Sequence, residues 1–221
     1  MNLNLDSLNL NSENEDNIKA IKIQSWWRGC HLRKILSNIE DNMTFQFLGM
    51  CLNIYNTNLK INAELNELLS KKKIRNENFP SHISENIAKF AIMKKYHVMP
   101  CWDTDKGDLV INKIGLYKQL EVKGFMSSGP SSFGPTEKWD ILYFVDAKDT
   151  MNNIFKVYEI KLSNKDDTFR NIKLSKNETY GEVADSKRRP RGCFEKTFKS
   201  QLGKDCKLIF DGHISELNNT F

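Results

Sequence analysis

The chain has 221 residues, of which 39% are hydrophobic and 28% charged, and its net charge is +5. This length allows one well-buried domain with an appendage, and no apolar run approaches the ~18 residues of a membrane span. No basic segment followed by an apolar stretch indicates a secretory signal, and the five scattered cysteines form no CxxC pair. These features argue against a secreted disulfide scaffold and a structural zinc site. They predict an intracellular, cytoplasmic protein, or a nuclear or virion-associated one if the source is a eukaryote or a virus.

The first 17 residues are predicted to be a disordered acidic tail. They contain four acids, Asp6, Glu13, Glu15 and Asp16, and no Lys or Arg, which leaves a net charge of +9 on the remainder. A basic body suits a polyanion such as DNA, because each neutralised phosphate releases counterions. Charge alone also fits a basic protein with no such partner.

Residues 18–73 are predicted to form an N-terminal helical region. Apolar residues recur at helical spacing over 18–38 and again over 43–73, where we expect a longer helix or a helical pair. The next predicted helix runs from Ser84, as its N-cap, to about Tyr96.

The first of these helices contains the segment IQSWWRGCHLR, which fits the pattern (I/L/V)QxxxRGxxxR at every defined position. It is similar to the IQ motifs that calmodulin and related EF-hand proteins bind. The resemblance implies that Ile23 and Trp27, beside the motif glutamine Gln24, fill an apolar groove. It also implies that Arg28 and Arg33 meet acidic residues. The alternative is an amphipathic helix that packs on the core or makes a dimer contact.

Two consecutive strands are predicted in the stretch GDLVINKIGLYKQLEVKG, which ends at Gly124. Glu121 and Lys123 lie two apart, so they project from the same face of the second strand. A fold back at Gly115 would bring Asp108 towards them. Two carboxylates can hold a hard divalent cation, with a lysine ammonium beside the water that the cation activates. This arrangement predicts phosphodiester hydrolysis.

An acid two residues before a lysine also occurs at four other positions, which are Asp146, Glu159, Asp185 and Asp205. Only Glu159 among them lies in a convincing strand. A second site formed by Glu159 and Lys161, with Asp140 as the partner, therefore stays open. A strand edge that carries alternating charges would show the same pattern.

The loop SSGPSSFGPTEKWD follows the hairpin, and two apolar strands are predicted after it, over 139–147 and 155–162. This order resembles type II restriction endonucleases of the PD-(D/E)xK superfamily, in particular the small enzymes that cut GCNGC-type sites. The resemblance covers roughly residues 74–217. It implies an α/β fold with a mixed central sheet flanked by helices, plus N-terminal helices. Residues 74–221 would then be the nuclease core.

The same resemblance implies the residues of the site. Asp108 and Glu121 would bind Mg²⁺, together with the backbone carbonyl of Val122. Lys123 would be catalytic, and Glu85 on the preceding helix would be a supporting ligand. The implied activity is site-specific cleavage of double-stranded DNA by a homodimer. A structure-specific nuclease of the same fold and a non-catalytic DNA-binding or calmodulin-binding module are the alternatives.

Four cations in five residues surround a proline near the end of the chain, after a charged, loop-like stretch over 164–186. They are Lys187, Arg188, Arg189 and Arg191. Arginine can fork onto phosphates or onto the O6/N7 edge of guanine. We expect this segment to contact duplex DNA, and the alternative is a solvated basic turn.

Overall fold

The computed structural model describes residues 45–68, 74–76, 78–102, 108–113 and 116–220. The predicted acidic tail, the first predicted helix and the IQ-like segment lie outside these residues. Among the described helices, none has the length and apolar character needed to cross a membrane.

The described helices are α1 (Phe45–Leu68), α2 (Ser81–Tyr96), α3 (Asp167–Arg170), α4 (Tyr180–Asp185) and α5 (Ser200–Leu202). A π-helical segment, Phe194–Lys199, leads directly into α5. Short 3₁₀ turns occur at Thr150–Asn152, Gly203–Asp205 and Ile214–Thr220. The described strands are β1 (Cys101–Trp102), β2 (Leu109–Lys113), β3 (Leu116–Phe125), β4 (Pro130–Ser132), β5 (Ile141–Asp149), β6 (Ile154–Ile160), β7 (Arg191–Cys193) and β8 (Cys206–His213).

Six strands form one mixed sheet in the order β1-β2-β3-β5-β6-β8. Strands β3 and β5 run parallel, and the other neighbouring pairs are antiparallel. Strands β4 and β7 form a separate two-stranded antiparallel sheet. The predicted α/β fold with a mixed central sheet flanked by helices is confirmed.

The two faces of the central sheet carry different side chains, because successive residues of a strand point to opposite sides. On the helix face, Val122 and Tyr143 join a core with α1 and α2. On the aromatic face, Phe125 and Phe144 join a cluster of rings from the chain after β3. The other rings of this cluster are Phe133, Trp139, Tyr158, Phe169, Tyr180, Phe194 and Phe198.

Helix α2 lies very close to β3. A Cβ atom on Gly124 would come within 2.7 Å of Ser84 Cβ and 2.9 Å of Phe79 Cδ1. The glycine therefore allows the helix to approach the strand that carries Glu121 and Lys123. The predicted N-cap at Ser84 is wrong, because α2 begins at Ser81 after Pro80.

The stretch over 164–186 is more ordered than its charged composition predicted. Asp166 caps α3 by accepting a hydrogen bond from Thr168 N. Thr179 and Glu182 form a reciprocal capping box at the start of α4. These caps satisfy backbone donors locally, so that two short helices form over a stretch with little apolar periodicity.

Candidate active site

The β2–β3 hairpin brings the three predicted catalytic residues together. Leu109 pairs with Leu120, so one further step along each strand places Asp108 beside Glu121. Asp108 Oδ2 accepts a hydrogen bond of 2.8 Å from the backbone N of Val122. The turn itself lies outside the described residues, yet the register on either side of it has the predicted hairpin geometry.

Glu121 and Lys123 both point to the aromatic face of the sheet. The Lys123 ammonium donates to the Glu121 carboxylate and lies 3.5 Å from Glu137 Oε2. It also lies 5.4 Å from the centroid of the Phe133 ring. The side chains of Glu121 and Lys123 are only 6% and 19% exposed. A buried ammonium therefore lies between two carboxylates and above an aromatic ring.

Burial and the neighbouring acids disfavour the ionised form of Glu121. Burial raises the pKa of Glu121 to about 8, and the negative charges of Asp108 and Glu137 add to this effect against the opposing charge of Lys123. Burial lowers the pKa of Lys123, but the charges of Glu121 and Glu137 outweigh burial, so that its pKa is raised. The site therefore concentrates negative charge around one retained cation.

The donor set fits a divalent cation of the Mg²⁺ type. Within the part of the chain that the structure describes, no three His, Cys, Asp or Glu side chains are grouped to hold a metal. Mg²⁺ in proteins commonly uses one or two carboxylates and keeps several waters. Asp108 and Glu121 supply two such hard oxygen donors, and a cation between them would relieve their repulsion.

Glu85 lies on α2 and is 1% exposed. This helix packs against the helix face of β3, whereas Glu121 points to the aromatic face. The role of Glu85 as a supporting ligand stays a prediction.

The second acid-x-lysine pattern has a different environment. Glu159 lies on the helix face and accepts hydrogen bonds from Tyr143 (2.8 Å) and Tyr96 (2.6 Å). Lys161 lies 3.4 Å from this carboxylate, and its side chain is 56% exposed. Asp140, the candidate partner, instead accepts from the backbone N of Gln119 at 2.9 Å. These contacts favour the site at Glu121 and Lys123.

Sequence reasoning missed Glu137 as a member of the cluster. This residue lies in the Gly/Pro/Ser-rich loop between β4 and β5, fourteen positions after Lys123. An acid in a loop has no periodicity that assigns it to a strand face. Its proximity to Lys123 depends on how the aromatic cluster folds the loop back over the sheet.

The basic segment is attached to that same loop. Arg191 begins β7, which pairs with β4, and Phe133 N donates a hydrogen bond of 3.0 Å to Pro190 O. Arg188 forms an ion pair of 2.5 Å with Glu178. The end of the segment is therefore part of a strand, and one of its arginines has an acidic neighbour.

Two family models match the chain. Residues 37–200 match the Bsp6I restriction endonuclease family. The chain belongs to this family, whose name makes it a DNA endonuclease, and the suspected resemblance is confirmed. Residues 18–36 match the IQ calmodulin-binding motif, as the segment IQSWWRGCHLR predicted. No curated protein and no solved structure gives a significant match.

The raised pKa of Glu121 predicts how stability depends on pH. Because the folded pKa of about 8 lies above the ordinary value of 4.5, the folded state binds the proton more tightly. The native protein therefore loses stability as pH rises through this window.

Glu121→Gln should be more stable than the native protein at pH 8 in EDTA, by on the order of 1 kcal/mol, with a smaller difference at pH 5. Urea unfolding measures this, with Glu64→Gln on α1 as the control. A difference that does not change with pH would contradict the expectation.

Proposed function

We propose that this chain is a Mg²⁺-dependent type II restriction endonuclease that hydrolyses phosphodiester bonds of double-stranded DNA at a short specific site. The observation that supports this most directly is the meeting of Asp108, Glu121 and Lys123 at one end of the β2–β3 hairpin. The chain's membership of a restriction endonuclease family makes the same arrangement a candidate for cleavage.

Asp108, Glu121 and the Val122 carbonyl would hold the cation, and Glu85 would support them. When bound, Mg²⁺ supplies a Lewis acid and lowers the pKa of a coordinated water. The Lys123 ammonium orients the attacking water and offsets the negative charge that develops on the phosphoryl oxygens. Because this ammonium is buried, its charge acts with little solvent screening.

The predicted DNA contacts are Lys187, Arg188, Arg189 and Arg191. They belong to the segment joined to the loop over Lys123, through the hydrogen bond between Phe133 and Pro190. Positive charge next to the catalytic cluster would bring the phosphate backbone to the site. The recognised bases would depend on the edges that these arginines reach.

If Lys123 is the catalytic lysine, the cleavage rates of two lysine variants should differ. Lys123→Ala should reduce the cleavage rate at least about 100-fold, since it removes a charge used in the transition state. Lys161→Ala, which changes the second acid-x-lysine pattern, is the matched control and should cut like the native protein. The cleavage rate is measured by incubating each protein with plasmid and phage DNA, in Mg²⁺ or in EDTA. Circular dichroism checks that each variant folds. An active Lys123→Ala beside an inactive Lys161→Ala would move the site to Glu159.

Two alternatives give other results in the same assay. A structure-specific nuclease of this fold would cut branched or flapped DNA and leave linear duplex without a defined band pattern. A non-catalytic module would bind DNA or calmodulin and leave every substrate intact with Mg²⁺. Discrete fragments that end at one short sequence would support the restriction enzyme over both.

We also propose that residues 18–36 bind a calmodulin-like EF-hand protein, on the basis of the IQ match. Arg28 and Arg33 would meet acidic residues of this partner, so Arg28→Glu with Arg33→Glu should abolish its capture. Pull-down of purified calmodulin with and without Ca²⁺ measures this, and Arg75→Glu, outside the motif, is the control. Retention of calmodulin by the double variant would contradict the proposal.

The proposed homodimer has a candidate surface on α1. Five of the ten exposed large hydrophobic residues among the described positions lie on this helix, each between 40% and 81% exposed. They are Met50, Ile54, Ile61, Leu65 and Leu68. At 100° per residue they fall within a stripe about 60° wide. We call these five residues the α1 stripe.

The residues of the α1 stripe are spaced nearly symmetrically about the midpoint of the stripe, near Leu59. Two copies of α1 could therefore pair antiparallel about a two-fold axis, as an isologous interface requires. Met50 would then face the partner's Leu68, and Ile54 would face the partner's Leu65. The five side chains would bury roughly 500 Å² on each copy, which approaches the lower limit for a biological interface.

A charge exchange tests this pairing. Ile54→Glu and Leu65→Lys should each make the full-length protein monomeric, because each places a charge in the apolar contact. The double variant should dimerise again, since the new carboxylate would face the new ammonium of the partner. Sedimentation velocity at micromolar concentrations measures this, with Leu208→Lys on β8 as the control. A native protein that remains monomeric, or a double variant that does, would rule out this interface.

A further inference from the structure

Glu137 has a buried oxygen with one cationic neighbour. Its Oε2 is shielded from solvent and accepts no hydrogen bond from any described residue. The Lys123 ammonium lies 3.5 Å from this oxygen. A shielded carboxylate oxygen costs free energy unless a positive charge compensates it, so the two groups restrain each other.

The backbone around Glu137 is held in place from both sides. Asn164 Nδ2 donates a hydrogen bond of 2.5 Å to Glu137 O, and Glu137 N donates to Gly134 O at 3.4 Å. A Cβ atom on Gly134 would come 2.8 Å from Glu137 Oε1, so a side chain at this position would have to displace the Glu137 carboxylate. These contacts fix the backbone of the loop at Glu137, whose side chain is 33% exposed.

The ring of Phe133 completes the enclosure of the ammonium. Lys123 Nζ lies 5.4 Å from the ring centroid, and the ring packs against Trp139 and Phe198 at centroid distances of 5.5 and 5.4 Å. A cation over an aromatic face is stabilised electrostatically. Phe133 is therefore fixed by the core, and Lys123 has little freedom to leave its position.

We propose that Glu137 is a positioning residue that holds the Lys123 ammonium at the cleavage site. Glu121 cannot do this alone, because it is also a proposed ligand of the cation. Glu137 is not among the proposed ligands, so its carboxylate stays available to the lysine throughout the reaction. The consequence for cleavage rests on the proposed nuclease function, whereas the consequence for Lys123 itself does not.

Glu137→Gln is the informative variant, since it keeps the size of the side chain and removes the charge. Single-turnover cleavage should slow by roughly 10- to 100-fold, while the Kd for DNA in Ca²⁺ stays the same. Reductive methylation of Lys123 in EDTA, measured by peptide mass spectrometry, should become several-fold faster relative to Lys118. Glu137→Asp should restore part of both effects, because it keeps the charge.

Glu195→Gln is the matched control, because it removes a more exposed carboxylate that also pairs with a lysine, at 3.1 Å from Lys199. This variant should leave both readouts unchanged. Unchanged Lys123 methylation in Glu137→Gln would overturn the proposal, whatever happens to cleavage. Faster methylation in a chain that cuts no DNA, native or variant, would support the positioning role and reject the nuclease function.

Discussion

The charge balance around Lys123 is the constraint on which the site depends. Three carboxylates, those of Asp108, Glu121 and Glu137, act on one buried ammonium. Removing any of these charges from water costs free energy, and the attraction to Lys123 repays part of it. Burial raises the pKa of Glu121, and the negative charges of Asp108 and Glu137 raise it further against the opposing charge of Lys123. The proposed Mg²⁺ would offset the negative charge of these acids.

The two faces of the sheet give the two acid-x-lysine patterns different environments. Glu121 and Glu159 have the same local sequence spacing, but Glu121 points to the aromatic face and Glu159 to the helix face. There two tyrosine hydroxyls satisfy Glu159, which suits a structural carboxylate. Glu121 instead lies beside a second acid and a buried lysine. The difference comes from the face on which each strand residue lies, and the spacing of the pattern is identical in both.

Local rules predicted the hairpin because it depends on patterns within a few residues, whereas the mixed sheet was expected from the resemblance to type II restriction endonucleases. Leu109 to Ile111 and Leu116 to Val122 are β-prone runs, and period-two alternation placed Glu121 and Lys123 on one face. The capping box at Thr179 and Glu182 also has a local sequence pattern, but the charged composition of 164–186 predicted a loop there. Glu137 could not be found in this way. Its position depends on ring packing among residues that are distant in sequence.

The loop between β4 and β5 connects the parts that a nuclease of this kind must coordinate. The loop follows β4, which pairs with β7, the strand that Arg191 begins. Further along the loop, Glu137 lies beside Lys123. Phe133 contacts both the basic segment and the lysine, because its backbone N donates to Pro190 O and its ring lies under the Lys123 ammonium. A displacement of the basic segment by DNA would therefore act on the loop that positions the lysine. Binding and chemistry would share one rigid support, because the aromatic cluster leaves Phe133 no room to move independently.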